Sequence, residues 1–299
     1  MDLNAWRRRR ISEPAYRWAR KAMPPLSPTE REAIEAGDTW WDADLFTGNP
    51  DWRKLLDVPA ATLTPDEQRF IDGPVAQLCA MLDEWDITWH RRDLPPEVWA
   101  FLKAQRFFGM IIPKRYGGLG FSPYAHSEVV RRISAYSITT GVTVMVPNSL
   151  GPGELLLQFG TPAQRDYWLP RLADGREVPC FGLTSPEAGS DAASMVDTGI
   201  VCRQVVDGRE LIGVRLNWHK RYITLGPVAT VLGLAFKMSD PDGILGGARD
   251  IGISVALVPT DAPGVEIGRR HLPAMQVFQN GPNRCLLYTS PSPRDKRQS

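Results

Sequence analysis

No Cys-x-x-Cys pair occurs in this 299-residue chain, and its four cysteines, Cys79, Cys180, Cys202 and Cys285, are scattered. The pattern excludes a zinc knuckle or a dithiol motif, and isolated thiols point to a reducing cytoplasm. The four histidines, His90, His126, His219 and His271, form no His-Glu-x-x-His or other metal spacing. Each reads as a satisfied surface or core residue. No apolar run approaches the ~18 residues that a membrane span needs. A surplus of one charge is also missing: 35 basic side chains face 34 acidic ones, a net charge of +1. Nothing global therefore points to nucleic acid. No G-x-G-x-x-G opens a βαβ unit, and no P-loop or G-x-S-x-G occurs. Gly117-Gly118-Leu119-Gly120 lacks the dinucleotide pattern and Gly246-Gly247 sits in a turn, which disfavours a Rossmann cofactor site.

What is present is globular. Hydrophobic residues make up 43% and charged residues 23%, enough to bury cores for about two domains. The ten Trp residues read as core packing, with a ligand cleft as the alternative. The run Arg7-Arg8-Arg9-Arg10 lacks the apolar stretch of a signal peptide. It is either a solvated basic segment or one attracted to anionic lipid headgroups. Residues 1–62 are punctuated by Pro14, Pro24, Pro25, Pro28, Pro50 and Pro59 and hold Trp40 and Trp41. They read as an extended arm with short helices, packed on the main body.

Regular helices are expected over 63–178. Thr64-Pro65-Asp66-Glu67 is a capping box with Pro at the first helical position. Apolar Phe70, Ile71, Val75, Leu78, Met81, Leu82 and Trp85 follow at spacings of mostly three or four, with Gly73-Pro74 as a possible kink. Further helices are predicted over 96–108, after Ser122-Pro123, over 138–146, and from the second capping box, Thr161-Pro162-Ala163-Gln164, to Gly175. Past Pro179 the pattern changes to short β-branched runs at 211–214, 228–236 and 251–258. Turns at Asp207-Gly208, Pro241-Asp242-Gly243 and Asp261-Ala262-Pro263-Gly264 separate them. The fold class is α+β: an N-terminal all-helical domain, then an antiparallel, barrel-like β domain over 179–285. Residues 286–299 are polar, basic and rich in Ser and Pro. They read as a disordered tail and, given their abrupt onset, as non-native read-through.

Two segments can carry chemistry. Phe181-Gly182-Leu183-Thr184-Ser185-Pro186-Glu187-Ala188-Gly189-Ser190-Asp191 leads a short strand into a loop offering backbone N–H groups and hydroxyls to an anion or a flat heterocycle. It is equally well an ordinary interdomain turn. In Trp218-His219-Lys220-Arg221-Tyr222-Ile223-Thr224, an aromatic and a hydroxyl two apart on a strand share a face. They suit one side of a ring system, or simple packing on the sheet.

Five pieces in order resemble the acyl-CoA dehydrogenase family. They are Ile112-Pro113-Lys114-Arg115-Tyr116-Gly117-Gly118-Leu119-Gly120; Phe159-Gly160-Thr161-Pro162-Ala163-Gln164-Arg165 through Trp168-Leu169-Pro170-Arg171-Leu172-Ala173-Asp174-Gly175; Leu183-Thr184-Ser185-Pro186-Glu187-Ala188-Gly189-Ser190-Asp191; Lys220-Arg221-Tyr222-Ile223-Thr224; and Pro263-Gly264-Val265-Glu266-Ile267-Gly268. They span residues 63–285. Thr39-Trp40-Trp41, Gly48-Asn49-Pro50-Asp51-Trp52 and Phe278-Gln279-Asn280-Gly281-Pro282 resemble its large bacterial fatty-acid-degradation subtype.

The resemblance implies a helical domain, a β domain and a C-terminal four-helix bundle, with FAD between the last two. It implies oxidation of medium- or long-chain acyl-CoA to trans-2-enoyl-CoA, a homo-oligomer, and an electron-transfer flavoprotein as acceptor. Carried over by position, Phe181, Leu183 and Thr184 line the flavin ring, and Thr184 hydrogen-bonds its edge. Gly189 and Ser190 lie near the pyrophosphate, and Ser190 also touches acyl-CoA. Tyr222, Ile223 and Thr224 shield one flavin face, with Tyr222 in place of the commoner Trp. Ser185 stands where the family usually has Glu, a departure the large subtype shares. The family's catalytic Glu lies in the bundle, so no catalytic residue is assigned and the chain is expected to be an inactive N-terminal fragment. The subtype's membrane-associated helices would precede it. The alternatives are a non-catalytic flavin- or acyl-CoA-binding module and a flavin oxidase or monooxygenase on the same fold.

Overall fold

The computed structural model describes residues 3–23, 31, 40–149, 151–206 and 208–291. Pro24, Pro25 and Pro28 of the expected arm, Asp207 of an expected turn and 292–299 of the expected tail lie outside these residues. The chain divides into two compact units, 1–60 and 61–299.

The first unit is more helical than its proline content suggests. Leu3–Arg7, a wider turn over Arg8–Ser12 and Glu13–Ala22 follow one another without a break, and the widened turn comes just before Pro14, which has no N–H to give the helix. Short helices follow at Asp42–Leu45 and Trp52–Leu56, and the Trp41 and Trp52 rings lie 4.9 Å apart.

The second unit opens with the expected capping box. Glu67 N donates to the Thr64 hydroxyl, and Thr64 N donates back to Glu67 Oε2 at 2.7 Å. The helix Pro65–Phe70 widens over Ile71–Val75, where Pro74 removes an amide, and continues as Ala76–Met81. The kink expected at Gly73-Pro74 is thus absorbed as a widened turn. Pro96–Ala104, Pro123–Ser134, Ile138–Met145 and Pro162–Ala173 complete the helices read from sequence. A helix at Pro152–Phe159 and a turn of helix at Asp86–Arg91 add to them. Phe70, Ile71, Leu78, Val98, Leu102, Phe107, Phe108 and Ile133 bury their side chains in a core shared with the sheet residues Cys180, Leu216, Trp218 and Leu232.

The sheet holds β1 Pro179–Gly182, β2 Thr198–Val206, β3 Arg209–Thr224, β4 Val231–Ser239, β5 Asp250–Pro259, β6 Glu266–Ile267 and β7 Asn280–Pro291. Its order is β1-β4-β2-β3-β7-β6, with β5 on β4. It is a mixed sheet and not a closed barrel. Most pairs are antiparallel, but β1 and β2 both run parallel to β4. They share one β4 edge end to end: β1 takes Val231–Leu234, β2 takes Lys237–Ser239, and β5 fills the other edge.

Two expectations change. Residues 286–291, read as the start of a tail, form the second half of β7. There the backbone completes the long edge of β3, pairing Thr289 with Arg215 and Pro291 with Gly213. Most Trp residues are not core: of the ten, Trp218 is buried and Trp99 and Trp168 pack half-buried against the cores, while Trp6, Trp18, Trp40, Trp52, Trp85 and Trp89 are exposed. Sequence cannot separate a buried aromatic from one on an open helix face when its neighbours are polar.

Candidate functional site

Both chemistry-bearing segments meet at the β1–β3 end of the sheet. Within β1 the alternation is regular. Cys180 and Gly182 face inward, and burial pushes the Cys180 thiol up to about 12. Phe181 and Leu183 face the other way, half-buried against Ala188, Met195 and Ala235. Beyond β1 the chain closes a tight turn: Ser185 N donates to Ala188 O at 3.0 Å and Ala188 N returns the bond to Ser185 O at 3.3 Å. The turn leaves Gly189 and Ser190 exposed, and a Cβ at Gly189 would meet nothing within 4 Å. Thr184 is half-buried.

β3 approaches this loop through an irregularity. Leu216, Trp218 and Lys220 face inward in turn, but the register against β7 shifts between Lys220 and Ile223. One extra residue flips the faces. The next inward side chain is therefore Ile223, 2% exposed and packed in the core. Tyr222, which strict alternation from Lys220 would turn inward, stands 50% exposed with a left-handed φ of +57°. A non-glycine residue pays strain there, and such residues cluster at functional sites. Asn280 Nδ2 holds the conformation, donating to Tyr222 O at 3.1 Å and to the Thr224 hydroxyl at 3.2 Å. The Tyr222 ring lies 5.0 Å from the His271 ring, with the Arg221 guanidinium 4.6 Å from its centroid.

A backbone bond joins the two segments: Arg221 N donates to Thr184 O at 3.0 Å. Beneath it, Lys220 Nζ donates to Leu183 O at 2.9 Å, to the Ser185 hydroxyl at 3.3 Å and to Asp197 Oδ2 at 2.5 Å. Burial pushes the Lys220 ammonium's pKa down, and Asp197 partly offsets this. Of the expected residues, Phe181, Leu183, Thr184, Gly189, Ser190, Tyr222 and Thr224 lie on these two joined segments. Ile223 turns its side chain into the core, so it can meet a ligand only through its backbone. Sequence reading missed Lys220, Asp197, Asn280 and His271 as parts of the site. Lys220 and Asn280 stand inside the quoted motifs. His271 gave no signal, and its buried Nδ1 has no hydrogen-bond partner among the described residues.

The two joined segments offer an exposed aromatic face at Tyr222, an open glycine at Gly189 and the hydroxyls of Thr184, Ser190 and Thr224. That donor set suits a flat, polar heterocycle carrying an anionic tail.

Comparison with known proteins agrees in order and extent. The family profile for the acyl-CoA dehydrogenase N-terminal domain matches residues 66–176, and that for the middle domain matches 180–280. The chain is 32% identical over 262 residues to the "Probable acyl-CoA dehydrogenase FadE10" of Mycobacterium tuberculosis, covering 84% of this chain and 38% of that protein. It is 30% identical over 232 residues to the human mitochondrial very long-chain specific acyl-CoA dehydrogenase, covering 76% and 34%. Among solved structures, the butyryl-CoA dehydrogenase of Megasphaera elsdenii superposes with a TM-score of 0.65 at 21% identity, covering 78% of this chain and 58% of that one. A Mycobacterium smegmatis glutaryl-CoA dehydrogenase in complex with FADH2 gives 0.61 at 25% identity, covering 85% and 58%. The chain thus spans little more than a third of the length of the curated relatives it matches.

Proposed function

Since this chain belongs to the acyl-CoA dehydrogenase family, we propose that its protein oxidises medium- or long-chain acyl-CoA to trans-2-enoyl-CoA with FAD. One observation supports the reading: Arg221 N donates to Thr184 O, which ties the loop after β1 to the strand that carries Tyr222. The groups present fit a flavin. Phe181, Leu183 and Thr184 would run along the ring, and the Thr184 hydroxyl would bond its polar edge. Gly189 and Ser190 would take the pyrophosphate, where Gly189 admits close approach. Ser190 would also contact acyl-CoA. Tyr222 would cover one face and keep water from it, with Thr224 beside it and Ile223 contributing backbone alone.

When bound, FAD would accept the substrate's β hydride. The residues of this chain bind and orient; none is assigned as the base. Asp197 is held by Lys220, and Asp191 accepts from the Ser194 hydroxyl. These residues by themselves are therefore proposed to bind flavin without turnover. A homo-oligomer and an electron-transfer flavoprotein as acceptor belong to the same proposal.

Cytoplasmic residence fits the four free thiols. Among the described residues no helix is long and apolar enough to cross a membrane. Peripheral association is proposed through residues 4–22, whose exposed helix carries Arg7, Arg8, Arg9, Arg10, Arg17, Arg20 and Lys21.

The test is a titration of the purified chain with FAD, followed by flavin fluorescence, and anaerobic addition of palmitoyl-CoA to the intact protein. Saturable flavin uptake and bleaching of its absorbance are expected. No uptake would remove the cofactor reading, and rapid reoxidation in air would turn it toward an oxidase.

A further inference from the structure

Behind the flavin-facing rim lies an ion pair that no surface reaches: the Lys220 side chain is 0% exposed and that of Asp197 1%. Burying two charges is costly, and an apolar pair of similar volume is often as stable or more so. Their retention therefore calls for a reason other than stability, and the geometry supplies one.

Lys220 has three protons, and each has an acceptor on a different group: Leu183 O, Ser185 Oγ and Asp197 Oδ2. Two of the three are on the loop that follows β1. The Ser185 hydroxyl, buried itself, accepts from Lys220 and donates to Asp197, which closes the triangle. Asp197 is in turn fixed by two strands: its Oδ1 accepts His219 N at 2.8 Å, and its carbonyl accepts Lys237 N at 2.9 Å. The lysine stem runs close beneath β1: a Cβ on Gly182 would lie 3.4 Å from Lys220 Cγ, in ordinary contact, and 2.9 Å from the tip of Leu232 at Cδ1.

The consequence falls on Thr184. Its own carbonyl is held by Arg221 N, and the carbonyl before it is held by Lys220 Nζ. Two successive carbonyls are thus drawn toward β3, which fixes the peptide planes on either side of the Thr184 side chain. Ser185 next along is pinned by its hydroxyl.

We propose that Lys220 and Asp197 act as positioning residues, setting the 183–190 loop in the conformation that receives FAD, and that they do so without adding to stability. This rests on the cofactor reading above.

The experiment compares the wild-type chain with Lys220→Met, Asp197→Leu and the double variant, measuring thermal midpoint, FAD dissociation constant, and amide hydrogen exchange without flavin. Each single variant strands a buried charge and should melt early. The double variant should regain a near-wild-type midpoint, yet bind FAD at least tenfold more weakly and exchange faster at 184–190 while β4 and β5 keep their protection. A double variant that regains wild-type affinity together with stability overturns the inference and leaves the cofactor reading standing. A wild-type chain that takes up no FAD removes the cofactor reading and this inference together. Should the double variant not fold, Ser185→Ala serves instead, since it cuts the loop's side-chain tie and leaves the ion pair. Unchanged loop exchange and FAD affinity in that variant overturn the inference, and faster exchange with weaker binding supports it.

Discussion

Arg221 N lies 3.0 Å from Thr184 O, and that single bond turns two unremarkable stretches of sequence into one surface. Tyr222 follows the donor and Ser185 follows the acceptor. On one side of the bond the chain is strained and aromatic, and on the other it is a tight turn ending in an open glycine. An ordinary interdomain turn would need neither the left-handed Tyr222 nor the buried ammonium behind it.

Tyr222 permits a test that separates strain from binding. Tyr222→Ala and Tyr222→Gly both remove the ring, so both should weaken FAD binding by a similar factor. They differ in backbone cost. Alanine keeps the penalty of a positive φ and glycine does not, so the glycine variant should be more stable by about 1 kcal/mol. Chemical denaturation and flavin titration of the two variants give both quantities. Equal stabilities would argue against the left-handed conformation at Tyr222, and unaltered affinity in both would take its ring out of the site.

Glu67 gives the protein an acid-sensitive joint. The carboxylate is buried, 3% exposed, and accepts backbone bonds from Thr64 N and Ser122 N, both at 2.7 Å. Burial alone would raise its pKa, but the bonds from Ser122 and Thr64 outweigh it and hold the group down to about 2. A depressed folded-state pKa stabilises the fold above the unfolded value, and that contribution is lost as pH falls. From the ordinary value of 4.5 down to about 2, roughly 3 kcal/mol should disappear. Glu67→Gln should therefore lower stability at pH 7 and flatten the acid limb between pH 5 and 2. Denaturation of both proteins across that range measures it, and parallel curves would refute the assignment.

The same residue illustrates what sequence could and could not disclose. Thr64-Pro65-Asp66-Glu67 announced the helix start because a capping box is local chemistry. That Glu67 also anchors Ser122, the cap of another helix, is a tertiary fact with no local signature. The helical half was legible for that reason: Ser122, Thr161 and the apolar spacing act within a few residues. The sheet was less so. β2 and β7 went unread because polar residues break their alternation, exposed Arg203 and Gln204 in β2 and buried Asn280 and Asn283 in β7, and the parallel pairing of β1 with β4 depends on partners some fifty residues apart. At the site, motif order located the rim, but strict alternation failed at the β3 bulge. That failure moved Ile223 into the core and Tyr222 out of it.

The thiols should separate by burial. Cys180 lies in the core with its pKa pushed up to about 12, and burial also raises that of Cys79. Cys202 is only partly covered. Reaction with a thiolate-specific reagent at pH 8 should modify Cys202 first, and Cys180 only on global unfolding. Peptide mapping after timed quenching reads the order. Early modification of Cys180 would mean that β1 opens locally.

Gly118 sets the sharpest steric limit in the helical half. A Cβ there would sit 2.0 Å from Ile112 O and 2.6 Å from the Ile112 carbonyl carbon, both backbone atoms that no rotamer can move aside. The contact exists because the chain folds tightly back on itself: Gly118 N donates to Pro113 O at 3.3 Å, Gly120 N to Ile112 O at 2.9 Å, and Phe121 N to Met110 O at 2.8 Å. The neighbouring Gly117 is at φ +83°, but only the Arg106 guanidinium approaches its Cβ position, so that glycine is needed for its dihedral and not for space. The two substitutions should therefore differ. Gly117→Ala should cost about 1 kcal/mol, the penalty of a left-handed alanine. Gly118→Ala must displace the 110–113 backbone and should cost about 3 kcal/mol or prevent folding. Because Met110 and Ile112 are buried, the damage should spread to the helical core and appear as lost near-ultraviolet dichroism as well as a lower midpoint. A Gly118→Ala protein as stable as Gly117→Ala would show that this turn is looser than its hydrogen bonds imply.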